Sequence, residues 1–177
     1  ANKYGVPRIA FVNKMDRVGA DFFRCVKMIQ ERLGAFPVVM TLPIGAEDRF
    51  RGVIDLVTMQ AYEFDEESLG ARVIETEIPA ELQGQVKEWR EKMIEEICSQ
   101  DDILMEKYLA GEKISEEELR AGARRATIAA KVTPIFCGSA FKNKGVQPML
   151  DGVVHYLPSP LDVAKCDPKA PFSALAF

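Results

Sequence analysis

The run Pro7-Arg8-Ile9-Ala10-Phe11-Val12 stops abruptly on Asn13-Lys14-Met15-Asp16, and that junction narrows the choice of fold more than any other stretch of the chain. An apolar run this short, with Pro near its start, suits a strand of a parallel sheet covered on both faces. In open α/β sheets ligands sit beyond the carboxyl ends of the strands, which is the position Asn13 to Asp16 occupy. A second run, Lys131-Val132-Thr133-Pro134-Ile135-Phe136-Cys137, ends in the same way on Gly138-Ser139-Ala140. Two strand-end loops of one parallel sheet open into one crevice, so the pair predicts a shared site.

An Asn-Lys-x-Asp loop has the chemistry to read guanine. The Asp16 carboxylate can accept one hydrogen bond from the protonated ring nitrogen and one from the exocyclic amine. Adenine offers neither donor in that arrangement. A site built to pair those donors rejects adenine by a factor on the order of ten thousand, because the carboxylate would be left desolvated and unpaired. Lys14 can lay its methylene stem on the purine face while its ammonium stays wet, and Asn13 can tie the loop to neighbouring backbone. From the second loop the Ala140 N–H is the donor expected for the guanine carbonyl oxygen. Ser139 would steady that turn, and Gly138 lets the backbone come close. A polar turn between strand and helix would explain the tetrapeptide alone, but not both loops.

Through these residues the chain resembles the translational GTPases, most closely the bacterial elongation factor G group. The blocks that carry the likeness are Phe11 to Arg17, Ile44-Gly45-Ala46-Glu47-Asp48, Arg51 to Leu56, and Gly138 to Val146. The resemblance implies an α/β fold: part of a P-loop GTPase-type parallel sheet with an inserted α+β subdomain. It implies GTP or GDP as ligand, with only the guanine end held here and Phe141 or Lys142 closing the other side of the base. Magnesium belongs to the parent, with no ligands in this chain. The parent would couple GTP hydrolysis to movement of transfer and messenger RNA, with ribosomal RNA and stalk proteins as partners. A ribosome-protection or recycling GTPase would carry the same region.

No G-x-x-x-x-G-K-[ST] occurs in these residues, so no loop of backbone N–H groups cradles phosphates and no hydroxyl meets magnesium. Asp16-Arg17-Val18-Gly19 fits Asp-x-x-Gly, but Asp16 is already committed to the base. The expectation is a fragment that selects guanine, holds no catalytic or metal-ligating residue, and does not turn over GTP alone.

Charge is unevenly spread. Glu63 to Glu118 holds 18 acidic and 6 basic residues, and the rest 9 acidic and 17 basic. Solvated helix faces account for such a pattern; the functional reading turns the basic part toward ribosomal RNA and the acidic insert outward, where it could dock a ribosomal partner. No apolar run is long enough to span a membrane and no secretory leader is present, so a cytoplasmic protein is expected. Cys25, Cys98, Cys137 and Cys166 are scattered beside a single His, which argues for reduced thiols over zinc or disulfides.

In order along the chain, residues 1–5 read as a helix end. Asp21 caps a helix through Arg32, with Phe22, Val26, Ile29 and Leu33 apolar, Cys25 and Met28 widening that face, and Gly34 as its stop. Pro37 to Leu42 reads as one strand. Val53 to Val57, a segment through Tyr62 and Phe64, and Val73 to Ile78 read as antiparallel strands around an acidic turn at 65–70. Pro79 opens a long helix to Ser99 with Leu82, Val86, Trp89, Met93 and Ile97 on one stripe and Trp89 as a core anchor. A short helix follows near Ile103, then one from Ser115, whose Glu118 completes a capping-box spacing and whose Arg120, Arg124 and Arg125 suit the helix dipole. Gly145 to Tyr156 reads as a helix with Val146, Met149, Leu150, Val153 and Val154 apolar and His155 at the surface. Asp16 and Gly138 lie much further apart than the three or four tens of residues, roughly, that one helix–strand passage takes. The expected division is therefore 1–42 with 123–160 as the sheet domain, 43–122 as the insert, and 161–177 as linker and first strand of a β-barrel domain.

Overall fold

Met40 is hydrogen-bonded to two sheets at once. Its N–H donates to Ile135 O at 2.9 Å and its carbonyl accepts the Leu56 N–H at 2.9 Å. The computed structural model describes residues 2–65, 70 and 72–163, and the chain passes at Met40 from one sheet into the other. The parallel sheet comprises β1 (Ala10–Val12), β2 (Pro37–Val39) and a strand near the far end of the sequence, Thr133–Cys137, in the order β1, Thr133–Cys137, β2. The antiparallel sheet comprises β3 (Thr41–Ile44), β4 (Gly52–Asp55), β5 (Gln60–Phe64) and β6 (Val73–Thr76), paired in that order; Thr133–Cys137 is accordingly β7. The single strand expected over Pro37 to Leu42 is thus two. Its apolar run continues unbroken across the junction because both sheets bury it: Val38, Val39, Met40, Leu42 and Ile44 are all buried.

The helices begin and end where local chemistry stops them. Helix α1 (Phe22–Leu33) is capped by Asp21, whose carboxylate accepts the Arg24 N–H at 2.9 Å, and closes on Gly34 at φ 58°; the left-handed turn costs Gly nothing sterically. Helix α2 (Gln83–Cys98) starts later than expected, because Ala80–Leu82 forms a separate 3-10 turn after Pro79. Helix α3 (Asp102–Leu109) is capped by Asp101, and α4 (Glu116–Ile128) by a complete capping box between Ser115 and Glu118. Helix α5 (Val146–Tyr156) and the short α6 (Pro160–Val163) end the described chain. Residues 2–4 form one 3-10 turn. The boundary expected at 42/43 lies within β3, and the one at 122/123 within α4.

A continuous apolar core joins both sheets. Val38, Val39 and Ile135 contribute from the parallel one, Val53, Ile54 and Ala61 from the antiparallel one, and Val86, Met93, Ile97, Leu119 and Ala123 from the helices above. Each fully buried Val, Leu or Ile stabilises by roughly 1.5–3 kcal/mol relative to exposure. Arg90 on α2 ties that helix to the sheet by donating to the carbonyls of Leu56 and Val57.

Three expected faces are corrected. On α1, Phe22 and Val26 are buried but Met28 and Leu33 are exposed, since packing on β2 covers only the first turns. On α5, Met149 packs against the core and Val146 and Val153 are part-buried, but Leu150 and Val154 are exposed; the fully buried positions are Gly152, where Phe136 lies in the space a larger side chain would need, and Tyr156. Trp89 is only half-buried at the core's edge, stacked on Phe23 with ring centroids 5.3 Å apart and with the Lys92 ammonium 4.5 Å from its own centroid. The expected strand at 172–177, Cys166 and most of the acidic turn lie outside the described residues. Among the described residues no helix is long and apolar enough to cross a membrane.

Candidate functional site

The register Val12↔Cys137 sends the loops after β1 and β7 off the sheet side by side. Gly138 N–H donates to Val12 O at 3.0 Å, and Met15 N–H returns to Gly138 O at 3.1 Å. The Met15 side chain is buried, so the first loop is anchored in the core by the residue the tetrapeptide pattern leaves unspecified. Lys14 before it adopts φ 63°, a left-handed backbone uncommon outside Gly that tends to occur where surroundings over-determine it.

The second loop closes through a backbone pair between Ser139 and Lys144, at 2.8 and 3.0 Å. That closure depends on two glycines. A Cβ on Gly138 would lie 2.3 Å from Lys144 O and 2.7 Å from the Phe11 ring, and Gly145 sits at φ 79° with its would-be Cβ 2.4 Å from Cys137 O.

All seven residues singled out from sequence, Asn13, Lys14, Asp16, Ser139, Ala140, Phe141 and Lys142, lie on these two loops. Asn13 Oδ1 accepts the Lys14 N–H at 2.7 Å and the Ala140 N–H at 3.0 Å. The Ala140 donor assigned to a base carbonyl is therefore engaged by Asn13, and donation to a base requires it to change partner. Asp16, with a side chain 8% exposed, faces Lys142 Nζ at 3.6 Å. The Ser139 hydroxyl beside it, ahead of the nearby cations, holds its carboxyl below the ordinary Asp range. Ser139 thus acts on the carboxylate itself as well as on the turn. Lys14 is exposed and free to lie along a ring, and Phe141, at 93% exposed, stands open at the rim.

Two contributors escaped the sequence reading. Met15 is one. Glu47 is the other: its N–H donates to Met15 O at 2.8 Å and its Oε1 accepts the Gly19 N–H at 2.7 Å. The sequence signal was the block Ile44-Gly45-Ala46-Glu47-Asp48, which shares in the family likeness but carries no periodicity linking it to Asp16. Among the described residues no three His, Cys, Asp or Glu side chains converge as a group that could hold a metal ion.

The arrangement offers an ionised carboxylate, backbone and amide donors, and a lysine stem around the mouth of two parallel-strand loops, a setting suited to a flat base carrying N–H donors. Comparison with known proteins agrees in kind. The model of the elongation factor Tu GTP binding domain matches residues 1–159. A solved structure from Thermus thermophilus superposes with a TM-score of 0.81 at 29% sequence identity, covering 92% of this chain and 24% of that one. The chain spans about a quarter of that protein's length. With the family model running through both loops and nearly to the end of the described residues, the chain belongs to the translational GTPase family, that of the elongation factor Tu GTP-binding domain.

Proposed function

We propose that this chain supplies the guanine-selecting part of the GTP-binding domain of an elongation factor G-type translation factor. The observation that carries the reading is the convergence of the two loops, tied by Asn13 to Ala140 and by Asp16 to Ser139 and Lys142. Asp16 accepts the two guanine donors, Lys14 covers one face of the base, and Phe141 or Lys142 closes the other. Asn13 and Ser139 hold the loop shapes, and Ala140 turns its N–H from Asn13 to the base carbonyl. On this reading residues 43–122 are the insert and 161–177 lead into the next domain. The parent, in the cytoplasm, couples GTP hydrolysis to movement of transfer and messenger RNA on the ribosome.

Competition against a fluorescent GDP analogue tests it. The wild-type chain should prefer GDP to ADP, and Asp16→Asn should lose guanine preference and gain affinity for xanthosine diphosphate, whose carbonyl replaces the exocyclic amine and meets an amide donor. An Asp16→Asn chain that keeps the guanine preference defeats the reading. GTP turnover should not scale with the concentration of this chain.

One observation favours a ribosome-docking role for the same chain. Glu88, Glu91 and Glu95 are exposed along one side of α2, inside the acidic segment. Reversing their charges should weaken association with ribosomes and leave guanine selectivity unchanged.

A further inference from the structure

The turn between β3 and β4 closes a hairpin of the antiparallel sheet, yet its contacts run to the loops of the parallel one. Glu47 within it adopts φ 57°, and Gly45 at φ 78° makes room for the turn, since a Cβ there would lie 2.1 Å from Arg49 O. In this conformation the Glu47 N–H reaches Met15 O at 2.8 Å while its carboxylate accepts the Gly19 N–H at 2.7 Å. The two bonds bracket Asp16. From the other side the Arg24 guanidinium donates to Gly19 O at 3.2 Å. At the end of the same turn Phe50 O accepts from the buried Lys144 Nζ at 3.5 Å, and the Lys144 backbone is the partner of Ser139. One short turn thereby holds both recognition loops.

We propose that Glu47 is a positioning residue for guanine selection, fixing the segment from Met15 to Gly19 so that Asp16 meets both donors of the base. This rests on the guanine-selecting role of Asp16. A carboxylate satisfies two donors at once only within a narrow range of orientations, so a loosened loop loses the second bond while keeping the first. Hypoxanthine keeps the ring N–H and lacks the exocyclic amine, which makes the ratio of affinities for GDP and inosine diphosphate a direct readout of that second bond.

The test compares wild type, Glu47→Ala and Glu47→Gln by competition with the fluorescent GDP analogue. Glu47→Ala should reduce the GDP-to-IDP affinity ratio about tenfold, the loss of roughly one charge-assisted hydrogen bond. Glu47→Gln, whose carboxamide oxygen still accepts from Gly19, should retain most of it. A merely structural role would weaken both nucleotides by the same factor in Glu47→Ala, and that result overturns the proposal, as does a Glu47→Gln ratio that falls with Glu47→Ala. A wild-type chain with no preference for guanine over adenine removes the guanine reading itself before any variant is compared. Hydrogen exchange on the wild-type chain gives a second measurement that needs no variant to fold: the Gly19 amide should exchange slowly, and exchange at the rate of an open loop overturns the proposal.

Discussion

Asn13 and Ala140, 127 positions apart in the chain, are joined by a 3.0 Å hydrogen bond from the Ala140 backbone N–H to the Asn13 carboxamide oxygen. The same oxygen accepts the Lys14 N–H at 2.7 Å, so one atom sets the curl of the first loop and its distance from the second. Neither loop has regular structure of its own, and their relative position rests on a few such contacts beyond the ends of β1 and β7.

Asn13→Ala should therefore separate stability from recognition. Both N–H groups lie on exposed residues where water can replace the lost acceptor, so the cost in folding should be only about 1 kcal/mol. Affinity for GDP should fall by more, about tenfold or beyond, because the loops must then be ordered on binding. Urea denaturation and GDP titration on the same sample check the two halves.

Glycine substitutions should have opposite signs at two positions. Gly138→Ala forces a Cβ to within 2.3 Å of a backbone carbonyl and 2.7 Å of the Phe11 ring, and neither obstacle can swing aside. Overpacking of this kind costs on the order of 1–3 kcal/mol, and here it also pushes the second loop off the first. Gly84, in the first turn of α2, has nothing within 4 Å of its would-be Cβ. Gly84→Ala should stabilise by about 0.5–1 kcal/mol through helix propensity. Urea midpoints should move down for the first and up for the second.

How much of this was legible depended on the range of the interaction. The Asp21 cap, the Gly34 stop and the Ser115–Glu118 box are each decided within a few residues, and sequence located all three. The two loops were legible for a related reason: an abrupt change from apolar run to polar loop is written in the residue types at Val12 to Asp16 and at Cys137 to Ala140, and the register Val12↔Cys137 brings them side by side. The sheet change at Met40 was not legible, because a buried apolar run looks the same whichever strand it pairs with. Arg124 and Arg125 misled in a similar way. Their placement near the end of α4 suits the helix dipole, but Arg125 makes bidentate contacts with Asp101 at 2.7 and 2.8 Å. Arg124 donates to His155 O at 3.0 Å, to Leu157 O at 2.8 Å and to Asp162 at 2.7 Å. Both partners are set by tertiary packing. Glu47 escaped for the same cause.

Asp101 should be an acid-sensitive and mutation-sensitive carboxylate of the helical layer. Its side chain is 6% exposed, caps α3 through the Leu104 N–H at 3.0 Å, and is held below the ordinary Asp range, chiefly by the Arg125 guanidinium. A lowered folded value means its contribution is complete above the unfolded value and disappears as pH falls through the folded one. Asp101→Asn leaves Arg125 without its counter-charge, and breaking such a pair costs on the order of 3–5 kcal/mol when it is buried, less here because Arg125 is part-exposed. The expected result is a much lower urea midpoint at pH 7 and a flatter loss of stability below about pH 4.

Glu96 should show the opposite pH dependence. It lies on α2 with its side chain 20% exposed and Lys92 Nζ 3.9 Å away. Burial pushes its carboxyl up to about 7, with the Lys92 ammonium offsetting this only in part and the neighbouring Glu95 adding repulsion. For an acid whose folded value is raised, the folded state binds the proton more tightly than the unfolded one. Its contribution is then fully present below the unfolded value of 4.5 and is lost as pH rises through about 7. Glu96→Gln stays neutral throughout and keeps the shape of the side chain. Relative to wild type its urea midpoint should be unchanged at pH 4, begin to rise above pH 5, and level off at a higher value by pH 8. A constant offset between the two proteins across that range would mean that Glu96 is ionised in the folded state as readily as in water, and that the α2 face around it is open to solvent.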